Sequence, residues 1–278
     1  MSANDVTSSG ATAIGISFWR MWLVVVLWPL IGVATNIPLS VFGEVVASWG
    51  GLVAEVAATL ICLRLVARWS SLPASALVPL GEFDSRVAVP VAITAIGFSI
   101  LNAAWVQWAT VLGLFPSWFD DLLARAFPDP LPTLLSFVLV GPVIEELLFR
   151  GGLLGALCKR YSANRAIVFS TAGFAVSHVL PAQLVGAVAA GLLLGWLRVR
   201  TGSLWLPIFG HIVFNGAAAV RHVPVLIEPV GSESVTLPPL WLVLVGIAGA
   251  ILGPFWVRWV LSLKEGARQV PFPPDHAR

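Results

Sequence analysis

Stretches of about twenty apolar residues recur along almost the whole of this chain, and they leave few ways to fold it. A bilayer core of about 30 Å takes roughly 20 apolar residues per crossing helix, and Pro or Gly inside such a helix is tolerated. Eight stretches qualify, near residues 18–41, 45–66, 88–114, 132–157, 164–180, 182–199, 203–220 and 237–262. Charged residues fill 11% of the 278 positions, where a soluble domain carries roughly 25%. The expected fold is an all-α, polytopic transmembrane bundle of about eight spans over residues 17–263. A polar tail, residues 1–16, precedes it, and a Pro-rich polar tail, residues 264–278, follows it and is expected to be disordered.

Loop charge gives an independent reading of the same pattern. With eight spans, one side of the membrane carries thirteen Lys and Arg residues, from Arg20 to Arg278, and the other only Arg125 and Arg221, with Arg150 set aside as intramembrane. That asymmetry predicts cytoplasmic termini. The first sixteen residues contain no Lys or Arg, so they lack the basic start of a secretory signal and the first span is expected to stay in the mature protein. A net charge of +2, with the basic residues scattered, argues against a nucleic-acid partner. The expected partners are the lipid bilayer and a membrane protein or peptide.

Other features have structural readings. Cys62 and Cys158 are too few for a disulfide framework and read as small apolar packing residues. FPSWFDDLLARAFPDP, residues 115–130, fits an interfacial amphipathic helix, or equally a loop held down by Trp118 and Phe119. Trp19, Trp69, Trp205 and Trp259 lie near span ends, as interfacial belts require. Gly151 with Gly155, and Gly191 with Gly195, permit close helix packing within one chain or between two.

The polar residues inside these spans need a separate account. A charge at a helix centre costs roughly 2.5–3.5 kcal/mol on insertion scales, and such residues face a bundle interior, pair with one another and mark function. Here they are Glu55, Glu145, Glu146, Arg150, His178, His211 and Asn215. Glu146 and Arg150 stand four apart on one helix face and can form an ion pair. Glu145 is rotated about 100° away and has no cation on its own helix, which leaves one carboxylate free to react. His211 and Asn215 also stand four apart, and Phe174 stands four before His178, so each pair shares a face. Glu55, with no Lys or Arg a turn away, reads as a buried acid or a cavity lining. His222 and His276 lie outside the spans.

Two chemistries fit a carboxylate, two imidazoles and an amide. A divalent metal such as zinc could take His178, His211 and Glu145 as ligands and activate a water. Alternatively, Glu145 acts as general base on a water held by His178, while His211 and Asn215 donate hydrogen bonds to the developing oxyanion. Both lead to hydrolysis of an amide inside the membrane.

These residues carry a family resemblance. EELLFR at 145–150 fits E-E-x-x-x-R, FAVSH at 174–178 fits F-x-x-x-H and HIVFN at 211–215 fits H-x-x-x-N. The three motifs, in this order, resemble the CPBP intramembrane proteases, which include the type II CAAX prenyl endopeptidases and bacterial members linked to bacteriocin processing or self-immunity. The stretch GLLLGWLRVRTGSLWLPIFGH, residues 191–211, is similar to the family's approach to its third motif. The resemblance implies an eight-helix all-α fold with a core near residues 130–220, placed in a bacterial cytoplasmic membrane. It makes Glu145 the catalytic glutamate, Glu146 and Arg150 its supporting pair, and His178 a water-holding group. His211 with Asn215 then form the oxyanion-stabilising or ligand pair. The H-E-x-x-H, G-x-G-D and G-x-S-G motifs of other intramembrane proteases are absent. A non-catalytic scaffold or bacteriocin-immunity protein, and a transporter with a proton relay through Glu145 and His178, are the competing readings.

Overall fold

A computed structural model of the chain describes residues 15–114, 130–178, 181–227 and 238–267. Regular structure among the described residues is entirely helical. In chain order, α1 is Phe18–Ser40, α2 Glu44–Ser70, the short α3 Ala74–Leu77, and α4 Ser85–Val111. Residues 130–157 form one continuous helix, α5, interrupted by two π-helical stretches, Ser136–Val140 and Leu147–Leu153. Then come α6 Ala163–Ser177, α7 Pro181–Thr201, α8 Trp205–Ile227 and α9 Leu240–Ala267. Each of the eight predicted apolar stretches coincides with a helix to within a few residues at its start. At its end, α8 runs on to Ile227, where 220 was expected.

Six of these helices are long and apolar enough to cross a bilayer. The apolar part of α8, Trp205–Val220, is shorter. Helix α6 has 15 residues, and at 1.5 Å per residue it reaches about 22 Å, short of a 30 Å core. Its early end matters for the site, because His178 is the residue that caps it. The predicted interfacial stretch and most of both predicted tails lie outside the described residues. At the C-terminal end α9 continues to Ala267, past the expected start of the tail at 264.

Small residues set the helix spacings. At Gly97 a Cβ would stand 2.6 Å from the backbone nitrogen of Ala250, and at Gly249 one would stand 3.0 Å from the carbonyl of Ile93, so α4 and α9 touch backbone to backbone. Gly191 and Gly195 admit Thr171 and Ile167, which brings α7 onto α6 within the one chain. Close approach of this kind is how apolar helices gain contact where lipid supplies no hydrophobic drive.

Two apolar cores result. One joins α1, α2, α5 and α6 through Met21, Cys62, Leu148, Phe149, Leu153 and Phe174. The other joins α4, α7, α8 and α9 through Val91, Leu194, Leu206 and Val257. Around them, large apolar side chains such as Leu30, Val33, Ile37, Leu244, Ile251 and Phe255 stand exposed, as lipid-facing surfaces do. The protein is an all-α integral membrane protein. Cys62 is buried, as expected for packing, whereas Cys158 is exposed and packs no core.

Candidate functional site

The chain around Glu145 departs from α geometry for a reason written in its sequence. Pro142 has no N–H to give to the helical ladder. One residue earlier, the Gly141 N–H reaches back five residues to the carbonyl of Ser136, which is the π turn. A π turn is rare and is frequently found at functional sites. Here it is possible only because residue 141 is glycine: a Cβ would stand 2.7 Å from the Ser136 carbonyl oxygen and 3.9 Å from Glu145 Oε1. Gly141→Ala is therefore expected to lower stability by about 1–3 kcal/mol through overpacking. Gly155→Ala, on the same helix, would meet nothing nearer than 3.5 Å and serves as the control. Thermal unfolding of both variants in detergent checks the difference.

The second π stretch, Leu147–Leu153, is braced at two of its backbone carbonyls by side chains from two other helices. Ser170 Oγ on α6 donates to the carbonyl of Phe149 at 2.9 Å. Arg198 Nε on α7 donates to the carbonyl of Arg150 at 3.3 Å. The bulge is thus held from α6 and α7 in addition to the bonds within its own helix.

The predicted ion pair forms. Arg150 Nη1 donates to Glu146 Oε1 at 2.8 Å, with both side chains almost completely buried. The same carboxylate oxygen takes a second bond, from His211 Nδ1 at 2.9 Å. Glu146 therefore joins α5 to α8 and orients an imidazole, a role that its spacing to Arg150 alone does not reveal.

Both histidines have their tautomers assigned by their partners. A carboxylate and a carbonyl can only accept, so His211 gives its Nδ1–H to Glu146 and His178 gives its Nδ1–H to the carbonyl of Phe174 at 2.8 Å. This leaves the two Nε2 atoms free, and both face Glu145. Its Oε2 lies 3.8 Å from His211 Nε2 and 4.0 Å from His178 Nε2. These gaps exceed a direct hydrogen bond, and they are of the size that one shared water closes from both sides. Glu145 and His178 are 20% and 23% exposed and His211 is 4% exposed, so the cluster opens at the glutamate and closes at the deeper imidazole.

Phe174 holds the cluster together from below. Its ring is fully buried, lies 4.5 Å from the His178 ring and 5.7 Å from the His211 ring by centroid, and carries the Arg150 guanidinium at 4.2 Å. The expected stacking of Phe174 beside His178 is present as an edge contact. Its reach to His211 and Arg150 is an addition that no spacing predicts.

Asn215 is bound elsewhere than expected. Its Nδ2 donates to the carbonyl of Phe137 at 2.7 Å, which ties α8 to the π turn and occupies one of its two amide hydrogens. Glu55 accepts a hydrogen bond from Ser136 Oγ at 3.1 Å. His276 and the side chain of His222 lie outside the described residues.

A tetrahedral zinc with bonds of about 2.0–2.1 Å would hold neighbouring ligand atoms roughly 3.3 Å apart. Glu145 Oε2 stands wider than that from each of the two Nε2 atoms. Among the described residues no group of three or more His, Cys, Asp or Glu side chains is arranged to hold a metal ion. The donor set as placed does not fit zinc.

Comparison with known proteins gives a consistent picture. Residues 127–217 match the family described as type II CAAX prenyl endopeptidase Rce1-like. The chain is 32% identical over 101 residues to the "Putative membrane peptidase YdiL" of Bacillus subtilis (strain 168). That alignment spans 36% of this chain and 39% of the relative. It is 27% identical over 160 residues to an uncharacterized 24.3 kDa protein of Escherichia coli, spanning 55% of this chain and 71% of that one. No solved structure matches the chain at a significant level. The matched segment contains all of Glu145, Glu146, Arg150, His178, His211 and Asn215, and the chain is similar over this segment to the Rce1-like family, while it spans about two fifths of the length of the first of these relatives.

Proposed function

We propose that this protein is an intramembrane endopeptidase that hydrolyses a peptide bond in a membrane-associated protein or peptide, whether lipidated or not. The observation that carries the reading is the position of Glu145 Oε2 opposite two Nε2 atoms whose rings are each locked through Nδ1. A water against Glu145 and His178 loses a proton to Glu145 as its oxygen attacks the substrate carbonyl. The oxyanion that forms is met by the remaining amide hydrogen of Asn215 and by His211, which in this scheme enters and leaves the cycle with a proton on both ring nitrogens. Glu145 then returns the proton to the departing amine, so water is added across the bond with no proton left over.

The buried Arg150 and Glu146 do not react in this scheme. Their part is to fix His211 on its Nδ1 side and to keep the deep wall of the site rigid. The proposed location is a bacterial cytoplasmic membrane, which the bacterial source of the relatives supports.

The test is hydrolysis in H₂¹⁸O. Purified protein in proteoliposomes, given a total membrane-peptide extract, is expected to yield peptides with ¹⁸O in a new C-terminal carboxyl. Exhaustive chelation should leave the rate unchanged, because the donor atoms are spaced too widely for zinc. An extract that gains no labelled termini would overturn the protease reading in favour of a binding protein.

A further inference from the structure

We propose that Glu55 is a positioning residue for Glu145: by accepting the Ser136 hydroxyl it pins the π turn whose shape decides where Glu145 points. This rests on the reading of Glu145 as the general base.

A carboxylate inside an apolar span is costly and is retained where it works. Glu55 sits within the apolar span of α2, yet it is held against α5, Oε2 to Ser136 Oγ at 3.1 Å. Ser136 is no ordinary residue of α5. Its carbonyl accepts the five-residue bond from Gly141, and the space over Gly141 is bounded at one end by that carbonyl and at the other by Glu145 Oε1. The π turn thus lines up Ser136, Gly141 and Glu145 on one face, which an uninterrupted α-helix would not do, since residues five apart diverge there.

A single π turn is poorer in hydrogen-bond geometry than the α-helix it interrupts, so it persists where outside contacts hold it. Two such contacts clasp its first two residues. Glu55 on α2 takes the side chain of Ser136, and Asn215 on α8 takes the carbonyl of Phe137. Asn215 already belongs to the predicted site, and Glu55 is its counterpart on the opposite side. If the clasp opens, the turn can relax towards α geometry, rotate Ser136 off the shared face and shift Glu145 from the two imidazoles. A displacement of about 1 Å at a reacting group can cost a hundredfold in rate.

The experiment uses the full chain in detergent with two readouts. The first is the initial rate of ¹⁸O incorporation into the membrane-peptide extract. The second needs no turnover: the rate at which dicyclohexylcarbodiimide labels Glu145, read by peptide mass spectrometry. Glu55→Ala and Ser136→Ala are each expected to slow turnover by roughly 10- to 100-fold and to change the labelling rate at Glu145. The double variant should be no worse than either single one, because both remove the same bond. Glu55→Gln keeps both the bulk of the side chain and an acceptor oxygen for Ser136 and should restore both readouts, while Ser136→Ala, which leaves Glu55 in place, separates the hydrogen bond from a merely space-filling role.

Wild-type behaviour of Ser136→Ala in both readouts, or a Glu55→Gln variant as impaired as Glu55→Ala, would overturn the proposal. Labelling that follows the expected pattern in a protein with no turnover would remove the protease reading and leave the positioning role standing.

Discussion

Replacing Glu145 by Gln is expected to slow hydrolysis by at least about a hundredfold while leaving the fold intact. The size follows from the worth of a positioned general base, roughly 10²–10⁴ in rate. The intact fold follows from the surroundings of the side chain. Glu145 is 20% exposed, and its facing nitrogens are 3.8 and 4.0 Å away, so no tight bond is lost when the carboxylate becomes an amide of the same shape. The variant should unfold at the temperature of the wild type and still assemble Glu146, Arg150 and His211. The check is the rate of ¹⁸O incorporation beside a melting curve in the same detergent. Turnover that survives the change would make Glu145 a bystander and move the base elsewhere. A rate loss accompanied by a large drop in melting temperature would mean that Glu145 is structural, which its exposure and spacing argue against.

The elements of this fold were legible in the sequence because the membrane permits so few alternatives. Apolar runs of about twenty residues can only be helices when no water is present to satisfy their backbone, and each run marked in the sequence is a helix in the structure. Helix α6 and the apolar part of α8 fall short of the span length expected of them, α6 having 15 residues and ending at the His178 cap. The same confinement makes the site legible: polar groups that lipid would punish must meet inside, and Glu145, Glu146, Arg150, His178 and His211 do.

What stayed hidden was the geometry that one residue imposes on the next. Counting by 3.6 residues per turn cannot bring Ser136 over Gly141, yet the Gly141–Pro142 pair carried the warning, as a missing donor beside the one residue with no side chain. Nor can spacing along single helices show that Glu146 binds His211, because the two lie 65 positions apart on different helices. The same holds for Asn215, whose spacing from His211 suggested a shared task while its amide is partly spent on Phe137.

Glu146 provides the sharpest separation of stability from chemistry. Its Oε1 accepts from Arg150 Nη1 at 2.8 Å and from His211 Nδ1 at 2.9 Å, and the two carboxylate-bound groups are buried. Glu146→Ala strands the Arg150 guanidinium without its counter-charge, and breaking a buried pair in this way costs about 3–5 kcal/mol. Glu146→Ala with Arg150→Ala removes the stranded charge, so the double variant is expected to be more stable than the single one, although Phe174 then loses the cation over its ring. Activity should not follow stability back. In both variants His211 has lost the acceptor that fixes its Nδ1–H, so Nε2 is no longer held towards Glu145, and turnover should remain down by roughly 10- to 100-fold. Unfolding in detergent and the rate of ¹⁸O incorporation, measured on the same preparations, test the two halves separately. Equal stability losses in the single and double variants would mean that Arg150 is not stranded and that water reaches it. Full recovery of the rate in the double variant would mean that His211 needs no anchor, and that Glu146 serves only to neutralise Arg150.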